Sequence, residues 1–310
     1  MRNKLIAVCL NPCIDKMVTI PSFTYGGMNR IREIHADASG KGVNVGIVAE
    51  RLGLPSLVTG FLFRSNGHLV EERLAKEHVE SDFLWMDGEI RTNLKVFDLE
   101  KSIVTEINES GTPAGEDMLL RMAEKINSLT DGNSFLVLTG SLPPETPRDY
   151  YRLLLEKAAG SFTVLDAEGD VFLEGLAAHP CMVKPNSYEL SLAVDRQIQT
   201  LEDVIHGAEI LIRKGIGIVC VSMGSEGAYI TNGKERYYAP PVKIPILSTV
   251  GAGDCVVAGI LAAMSKEKPL IECFRSGVAA ASAALSVPGT QLCIPEQYAS
   301  LWDQVVIETL

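Results

Sequence analysis

Hydrophobic positions in this chain fall mostly into short continuous runs, separated by longer stretches with helical spacing. The first run covers residues 5–10, and Asn11-Pro12 ends it with a turn signal. Runs that are apolar at every position are typical of strands buried on both faces of a parallel sheet, whereas helices show apolar residues three and four apart. Strands are predicted at 5–10, 57–61, 135–139, 162–166, 181–183, 216–222 and 228–231. Helices are predicted at 39–52, from about 68, and at 115–129, 147–157, 201–214, 254–264, 270–285 and 295–307.

The alternation of these strands and helices predicts an α/β fold in which helices cover both faces of a mainly parallel sheet. Four further strands, at 17–20, 31–35, 94–99 and 102–107, do not fit that buried core. They alternate apolar and polar residues, which predicts one solvated face. We expect them to form a small sheet that projects over a site as a lid, built from about 16–37 and 90–109. No linker or fixed-period repeat interrupts the chain, so we expect residues 1–310 to form one domain with this lid.

Composition and charge narrow the range of functions. The chain has 310 residues, of which 46% are hydrophobic, and a formal net charge of −11. A general nucleic-acid-binding surface is not expected at that charge, and an anionic substrate would need its own local cluster of cations. No segment approaches the roughly 18 apolar residues of a membrane span. Seven scattered cysteines without a C-x-x-C pair indicate a reducing, cytoplasmic setting.

A glycine-rich turn, Thr249-Val250-Gly251-Ala252-Gly253-Asp254, precedes the apolar run of residues 255–261 and predicts the start of a helix. Glycine allows the backbone to approach a ligand closely, and the free N–H groups of a first helical turn bind anions. A carboxylate at Asp254 could accept a proton from an attacking hydroxyl while those N–H groups hold a transferring phosphoryl group. Taken alone, the same turn could be a tight turn with Asp254 as a helix cap.

Five further motifs precede this turn in a fixed order. They are Asn11-Pro12-x-x-Asp15, Gly40-Lys41-Gly42-Val43-Asn44-Val45, Thr139-Gly140-Ser141-Leu142-Pro143-Pro144, Lys184-Pro185-Asn186-x-x-Glu189 and Ser222-x-Gly224-x-x-Gly227. Together with the Asp254 turn they resemble the PfkB (ribokinase-like) sugar kinases, and within that family the bacterial phosphosugar kinases. The resemblance extends from Asn11 to about Leu292. The sequence has neither the Gly-Lys-Ser/Thr ending of a Walker A loop nor a dinucleotide fingerprint after the first strand.

The resemblance implies a ribokinase-like three-layer α/β/α core and ATP-dependent phosphorylation of a sugar. It implies that Asp254 is the catalytic base and that Gly251, Ala252 and Gly253 form the anion hole. It assigns ATP binding to Lys184, Ser222, Met223, Gly224, Ser225, Glu226, Gly227 and Gly253. It assigns Mg²⁺ to Asn186 and Glu189, which we expect to act through water because Mg²⁺ keeps most of its water ligands. The alternative for this pair is a helix N-terminus with a capping Asn and Glu.

The substrate is expected to be a phosphosugar. By the resemblance, Asp15, Gly40 and Asn44 would hold sugar hydroxyls, and Asn93 belongs to the motif Arg91-Thr92-Asn93-x-Lys95. Candidates for the substrate phosphate are Arg30, Lys41, Arg91, Lys95 and Ser141, because a phosphate needs fixed cations and donors. The leading expectation is D-fructose 1-phosphate, phosphorylated at the 6-hydroxyl. The alternatives are D-tagatose 6-phosphate, then a neutral sugar, or a non-catalytic sugar-phosphate sensor.

Three further expectations concern the electrostatics, the departures from the family pattern and the assembly. A helix N-terminus lowers a carboxylate pKa, so Asp254 is expected to be a weak base. Arg64, Glu145 and the segment Ala167-Glu168-Gly169-Asp170 depart from the family pattern, and Arg64 and Glu145 could alter which sugar fits. Apolar faces of the lid strands predict a homodimer through the lid.

Overall fold

The computed structural model describes residues 2–158 and 160–310. In chain order its strands are β1 (Lys4–Cys9), β2 (Cys13–Ile20), β3 (Glu33–Ser39), β4 (Ser56–Phe63), β5 (Glu80–Met86), β6 (Arg91–Asp98), β7 (Ile103–Asn108), β8 (Ser134–Thr139), β9 (Phe162–Asp166), β10 (Met182–Val183), β11 (Ile218–Ser222), β12 (Ala228–Thr231), β13 (Arg236–Ala239) and β14 (Glu308–Thr309). The α-helices are α1 (Lys41–Arg51), α2 (His68–Lys76), α3 (Glu116–Leu129), α4 (Tyr150–Lys157), α5 (Gly169–Gly175), α6 (Ser187–Val194), α7 (Leu201–Arg213), α8 (Ala252–Met264), α9 (Leu270–Leu285) and α10 (Pro295–Trp302).

Ten strands form one large sheet in the order β14-β13-β12-β11-β10-β9-β8-β1-β4-β5. All neighbours from β11 to β5 pair in parallel, and the edge from β11 to β14 is antiparallel. Residues of β4 and β8 are buried along their whole length, as the continuous apolar runs predict. The mainly parallel sheet expected from the sequence is therefore confirmed.

The helices form two contiguous groups against the large sheet. In one group α1 contacts α2 and α8, α8 contacts α9, and α9 contacts α10. In the other, consecutive helices from α3 to α7 contact one another. This is the predicted three-layer α/β/α arrangement. Within residues 2–158 and 160–310, none of the helices is long and apolar enough to span a membrane.

A few elements differ from the sequence-based prediction. Helices α5 and α6 and strands β13 and β14 were not predicted as elements, and the helix expected over 295–307 ends at Trp302. Strands β13 and β14 are short and lie at the antiparallel edge, where Arg236 and Glu308 are exposed, so they lack the apolar run that marks a buried strand. Strand β5, at the other edge of the sheet, was not predicted either, and its first three residues are exposed.

The predicted small sheet is present, and its two faces differ in chemistry. Its strand order is β3-β2-β6-β7, with β2 and β6 parallel and the outer pairs antiparallel. On one face Asp15 lies beside Asn93, and Asn93 lies beside Asn108. On the other face Val18 lies beside Val96, and both are buried. The alternation of side chains along a strand separates a polar face from an apolar one.

Candidate active site

A cavity of about 460 Å³ opens between the carboxyl end of the large sheet and the polar face of the small sheet. The ends of β1, β8 and β9 contribute Cys9, Thr139 and Asp166 to its wall. Ligands of open α/β sheets bind at this end, so the location is the expected one. The predicted residues that line it are Asp15, Gly40, Lys41, Asn44, Arg91, Asn93, Ser141, Lys184, Gly251, Gly253 and Asp254.

Asp254 lies in the first turn of α8 and is only 4% exposed. Gly251 precedes the helix with φ of 74°, a conformation that favours glycine, and a Cβ at this position would have to displace the end of the Leu292 side chain. The amide of Asn44 donates a hydrogen bond of 2.8 Å from Nδ2 to Asp254 Oδ2. A single rotamer of the carboxylate is thereby held at the cavity wall.

The expectation that Asp254 is a weak base is wrong. Burial raises the pKa of Asp254 to about 7, against the opposing effects of the Lys41 charge and the Asn44 hydrogen bond. The helix begins inside the protein, so the loss of water around the carboxylate outweighs the favourable dipole of the first turn. A carboxylate with this pKa is well suited to accept a proton near neutral pH.

Two lysines and a buried carboxylate lie beside Asp254. Lys184 Nζ is 3.1 Å from Asp166 Oδ1, and both side chains are almost fully buried. Thr139 Oγ1 donates to Asp166 Oδ2 over 3.1 Å. Burial alone would raise the pKa of Asp166, but the charges of Lys184 and Lys41 hold it below its usual range. A Cβ on Gly253 would lie 3.3 Å from Lys184 Nζ, so this ammonium group faces the glycine turn directly.

Another part of the cavity wall carries Arg91 and Ser141. Arg91 Nη2 donates to Ser141 Oγ over 3.2 Å, and Nη1 donates to the carbonyl of Glu109 over 3.0 Å. Asn11 Nδ2 also donates to Ser141 Oγ over 3.2 Å. The Ser141 oxygen thus accepts two hydrogen bonds, which leaves its own hydroxyl hydrogen free to donate to a ligand. A guanidinium and a free hydroxyl hydrogen side by side suit a phosphate group.

A third part of the wall is a buried ion pair on the polar face of the small sheet. Lys95 Nζ is 3.4 Å from Asp15 Oδ1, and each side chain is less than a tenth exposed. Asn93 Nδ2 donates to the same Asp15 oxygen over 3.4 Å, whereas Asn93 Oδ1 is buried without a protein partner. A buried acceptor without a partner is costly unless a ligand or water satisfies it. This group can accept a hydrogen bond from a sugar hydroxyl.

Several predicted site residues lie outside the cavity wall. Arg30 is exposed in the loop between β2 and β3. Ala252, the first residue of α8, does not line the cavity either. The predicted ATP segment, residues 222–227, follows β11, and its first residue forms a bridge with Asn186. That bridge sets the segment beside the chain that leaves Lys184, which lines the cavity, whereas residues 222–227 do not line it.

Asn186 and Glu189, the predicted metal residues, form a capping box at the start of α6. Asn186 Oδ1 accepts from the Glu189 backbone N–H, and Glu189 Oε2 accepts from the Asn186 backbone N–H, each over 2.8 Å. Burial raises the pKa of Glu189, against the lowering effect of the backbone hydrogen bond. Asn186 and Glu189 therefore cap the helix, which is the alternative considered for this pair. The second carboxylate oxygen of Glu189 takes no part in the capping box.

The cavity also contains residues that were not assigned to it from the sequence: Asp166, Glu168, Glu106, Asn108, Thr139 and Thr249. Asp166 could have been found, because a carboxylate that ends an apolar strand lies at the edge where ligands bind. Glu106 and Asn108 belong to the exposed strand β7, and only the pairing of β7 with β6 brings them to the cavity.

Comparison with known proteins gives the family. The family model of the pfkB family carbohydrate kinases matches residues 9–297. The chain is 36% identical to 1-phosphofructokinase of Rhodobacter capsulatus, over 100% of this chain and 99% of the relative. It is 34% identical to 1-phosphofructokinase of Bacillus subtilis, over 90% of this chain and 91% of the relative. The solved structure of phosphofructokinase-2 from Escherichia coli in complex with substrates and products superposes with a TM-score of 0.91, at 27% identity and over 98% and 99% of the two chains.

The matched range includes both ends of the cavity, from Asn11 and Asp15 to Asp254. The large parallel sheet and the small second sheet are those of the matched phosphofructokinase structure. The chain therefore belongs to the pfkB family of carbohydrate kinases, which use ATP as the phosphoryl donor.

Proposed function

We propose that this kinase transfers the γ-phosphoryl group of ATP to the 6-hydroxyl of D-fructose 1-phosphate, giving fructose 1,6-bisphosphate and ADP. One cavity contains both the buried carboxylate of Asp254 and two donors suited to a phosphate, the Arg91 guanidinium and the Ser141 hydroxyl. This observation carries the proposal. A substrate with a phosphate at one end and a free hydroxyl at the other spans these two features. The similarity to two 1-phosphofructokinases, over 100% and 90% of this chain, supports the same substrate.

Asp254 would act as the base. The oxygen of the 6-hydroxyl attacks the γ-phosphorus as the bond to the ADP oxygen breaks, and the hydroxyl proton passes to the Asp254 carboxylate. Asn44 fixes that carboxylate through its 2.8 Å hydrogen bond. A sugar whose phosphate is fixed by Arg91 presents its far end to Asp254, so orientation supplies much of the rate.

The glycine turn would hold the transferring group. The first N–H groups of α8 have no partners within the helix, and the peptide dipoles of the turn favour negative charge there. Lys184 faces this turn with its ammonium group and is fixed in place by Asp166. These donors would stabilise charge on the phosphoryl oxygens during transfer. The segment of residues 222–227 would contact the rest of ATP at the edge of the cavity.

Mg²⁺ is expected to accompany the nucleotide. Across the described residues, no three His, Cys, Asp or Glu side chains gather as a metal cage. This fits Mg²⁺, which is held mainly by phosphate oxygens and water in nucleotide sites. Of the predicted pair, the Asn186 side-chain oxygen and one Glu189 oxygen are engaged in the capping box. The second Glu189 oxygen could hold a metal-bound water, and the metal would neutralise phosphate charge.

The test is ADP release from Mg-ATP with fructose 1-phosphate, tagatose 6-phosphate, fructose 6-phosphate, fructose and ribose. Preference for fructose 1-phosphate supports the proposal, and preference for tagatose 6-phosphate replaces the substrate but keeps the mechanism. Reaction with the neutral sugars alone would remove the role assigned to Arg91. Ligand binding without any ADP release would favour the sugar-phosphate sensor.

The pKa of Asp254 predicts the pH profile of the enzyme. Because the free enzyme must hold Asp254 unprotonated, kcat/KM for fructose 1-phosphate is expected to rise with pH, with the midpoint of the rise at about 7. The Asn44 hydrogen bond lowers this pKa, so Asn44→Ala should move the midpoint to higher pH. Titration of the substrate phosphate would give the same midpoint in both enzymes. A profile that is flat from pH 5.5 to 8.5, or one unmoved by Asn44→Ala, would contradict the assignment.

The outer face of the small sheet supports a homodimer, which we propose as the assembly. Ile34, Ile103 and Ile107 lie on the face opposite the cavity, and each is about half exposed. They lie on the same face as the buried Val18 and Val96. Covering such a surface with a second copy removes apolar area from water.

The free thiols of the seven cysteines are compatible with a reducing compartment, and we propose a cytoplasmic enzyme.

Ile107→Asp is expected to weaken this dimer by more than tenfold, because it introduces a charge into the apolar contact. Sedimentation velocity across micromolar concentrations measures the change. Val104→Asp is the matched control, since Val104 is 46% exposed on the other face of the same strand. A wild-type monomer at these concentrations, or an equal effect of both variants, would exclude this interface.

A further inference from the structure

Glu168 occupies an unusual place in the active-site cavity. It is the residue before α5, in a segment that departs from the family pattern, and its side chain does not cap that helix. Instead its carboxylate reaches across to α1, where Glu168 Oε1 lies 3.0 Å from Lys41 Nζ. The side chain of Glu168 is 67% exposed, that of Lys41 is 33% exposed, and both residues line the cavity.

Lys41 is the cation that Glu168 neutralises. Asp166 is the strongest of several carboxylates that raise the pKa of Lys41, followed by Asp254 and Glu168, so the lysine stays charged. Asp166 is already committed to the buried pair with Lys184 at 3.1 Å. Glu168 is therefore the partner of Lys41 that can leave, because its carboxylate can turn into water without a desolvation cost.

We propose that Glu168 is a specificity-determining residue. Its carboxylate pairs with the ammonium group of Lys41 until a phosphoryl oxyanion of a substrate displaces it. The proposal rests on the proposed kinase function, since it concerns how the same cavity selects its anionic ligands. A phosphate dianion attracts the ammonium group more strongly than a single carboxylate does, so it can displace Glu168. A neutral or singly charged ligand gains too little from Lys41 to do so.

The backbone around Glu168 permits this exchange. Gly169, the next residue, has φ of 55°, a conformation that glycine adopts without strain. Glu168 itself is extended, with φ of −116° and ψ of 152°, and makes no cap hydrogen bond that its departure would break. The carboxylate can therefore change rotamer while α5 stays in place.

Glu168→Gln keeps the size of the side chain and removes its charge. Affinity for a phosphoryl oxyanion is expected to rise by about two- to fivefold, the range for an ion pair this exposed. Asp170→Asn is the matched control, because Asp170 belongs to the same helix, pairs with Arg148, and lies outside the cavity wall. It changes the net charge by the same amount without touching Lys41.

Two measurements test the proposal. The first is the KM for Mg-ATP and for fructose 1-phosphate in wild type, Glu168→Gln and Asp170→Asn. A fall in one KM with Glu168→Gln alone supports the proposal and identifies whether the nucleotide or the sugar supplies the oxyanion. Unchanged or higher KM values for both substrates would overturn it.

The second measurement needs no turnover, so it remains informative if the kinase function itself fails. Binding of inorganic phosphate is followed by thermal shift at constant ionic strength. Glu168→Gln is expected to tighten binding in the wild-type background and to have no effect in a Lys41→Met background. Tightening of equal size in both backgrounds would show that Glu168 acts through general charge and not through Lys41, and would overturn the proposal.

Discussion

Asp254→Asn is expected to lower kcat by about 10²–10⁴-fold, the range for loss of a positioned general base. The amide has the same shape as the carboxylate and can still accept a hydrogen bond from Asn44, which donates to this position over 2.8 Å. Binding of fructose 1-phosphate and ATP should therefore change much less than turnover. Steady-state kinetics and calorimetric binding separate the two effects. Asp170→Asn, an exposed position on α5, controls for the change in net charge.

The same substitution is expected to stabilise the protein above neutral pH. Burial raises the Asp254 pKa from 3.8 to about 7, so the folded state binds this proton more tightly than the unfolded state does. Stability is therefore lost as the pH rises from about 4 through 7, and this loss is on the order of a few kcal/mol. The Asp254→Asn variant has no carboxylate at this position to ionise, so it does not lose this stability. Its thermal midpoint should therefore exceed that of wild type at pH 8 and match it near pH 4. A lower midpoint at pH 8 would contradict the buried carboxylate with a raised pKa described above.

Arg91→Ala is expected to raise the KM for fructose 1-phosphate by roughly 10- to 100-fold, as a hydrogen bond to a charged group contributes about 1.5–3 kcal/mol. The guanidinium donates to Ser141 and to the Glu109 carbonyl, so its plane is fixed before the substrate arrives. Arg91→Lys should recover only part of the loss, because an ammonium group does not offer two parallel donors.

Two comparisons make this second prediction specific. Fructose lacks the phosphate, so any weak activity with it should be insensitive to Arg91→Ala. Arg64→Ala removes another arginine, one that is mostly exposed and pairs with Asp87 away from the cavity, and should leave the KM unchanged. An equal loss with fructose and fructose 1-phosphate would show that Arg91 holds the end of β7 in place rather than the substrate phosphate.

The core of the fold could be predicted because its signals are local. Strands β9 and β12 and helix α9 begin and end where the apolar pattern does, since burial on all sides leaves a continuous run. Strands β13 and β14 escaped prediction because their stability comes from pairing at the sheet edge rather than from their own residues. The start of helix α6 was considered only as an alternative to Mg²⁺ binding by Asn186 and Glu189.

The site was predictable where a motif ends a buried strand or opens a helix. Asn44 and Asp254 lie in the first turns of α1 and α8, and Asp15 lies on the polar face of the small sheet, so residues far apart in the sequence line one cavity. Arg30 does not line it, since a residue in an exposed loop has no element to fix its direction. The Asp254 pKa was predicted with the wrong sign because the depth of burial of a helix terminus is a tertiary property.

Alternation along β7 also restricts which changes in length this strand can accept. Asn108 lines the sugar cavity, whereas its neighbour Ile107 points to the opposite, apolar face. A one-residue deletion between 103 and 108 would exchange the two faces, turning an isoleucine toward the sugar and an amide toward the outer surface. The four-residue turn between Asp98 and Ile103 has no such constraint, so natural length variation in this sheet should concentrate at its turns and avoid the strands.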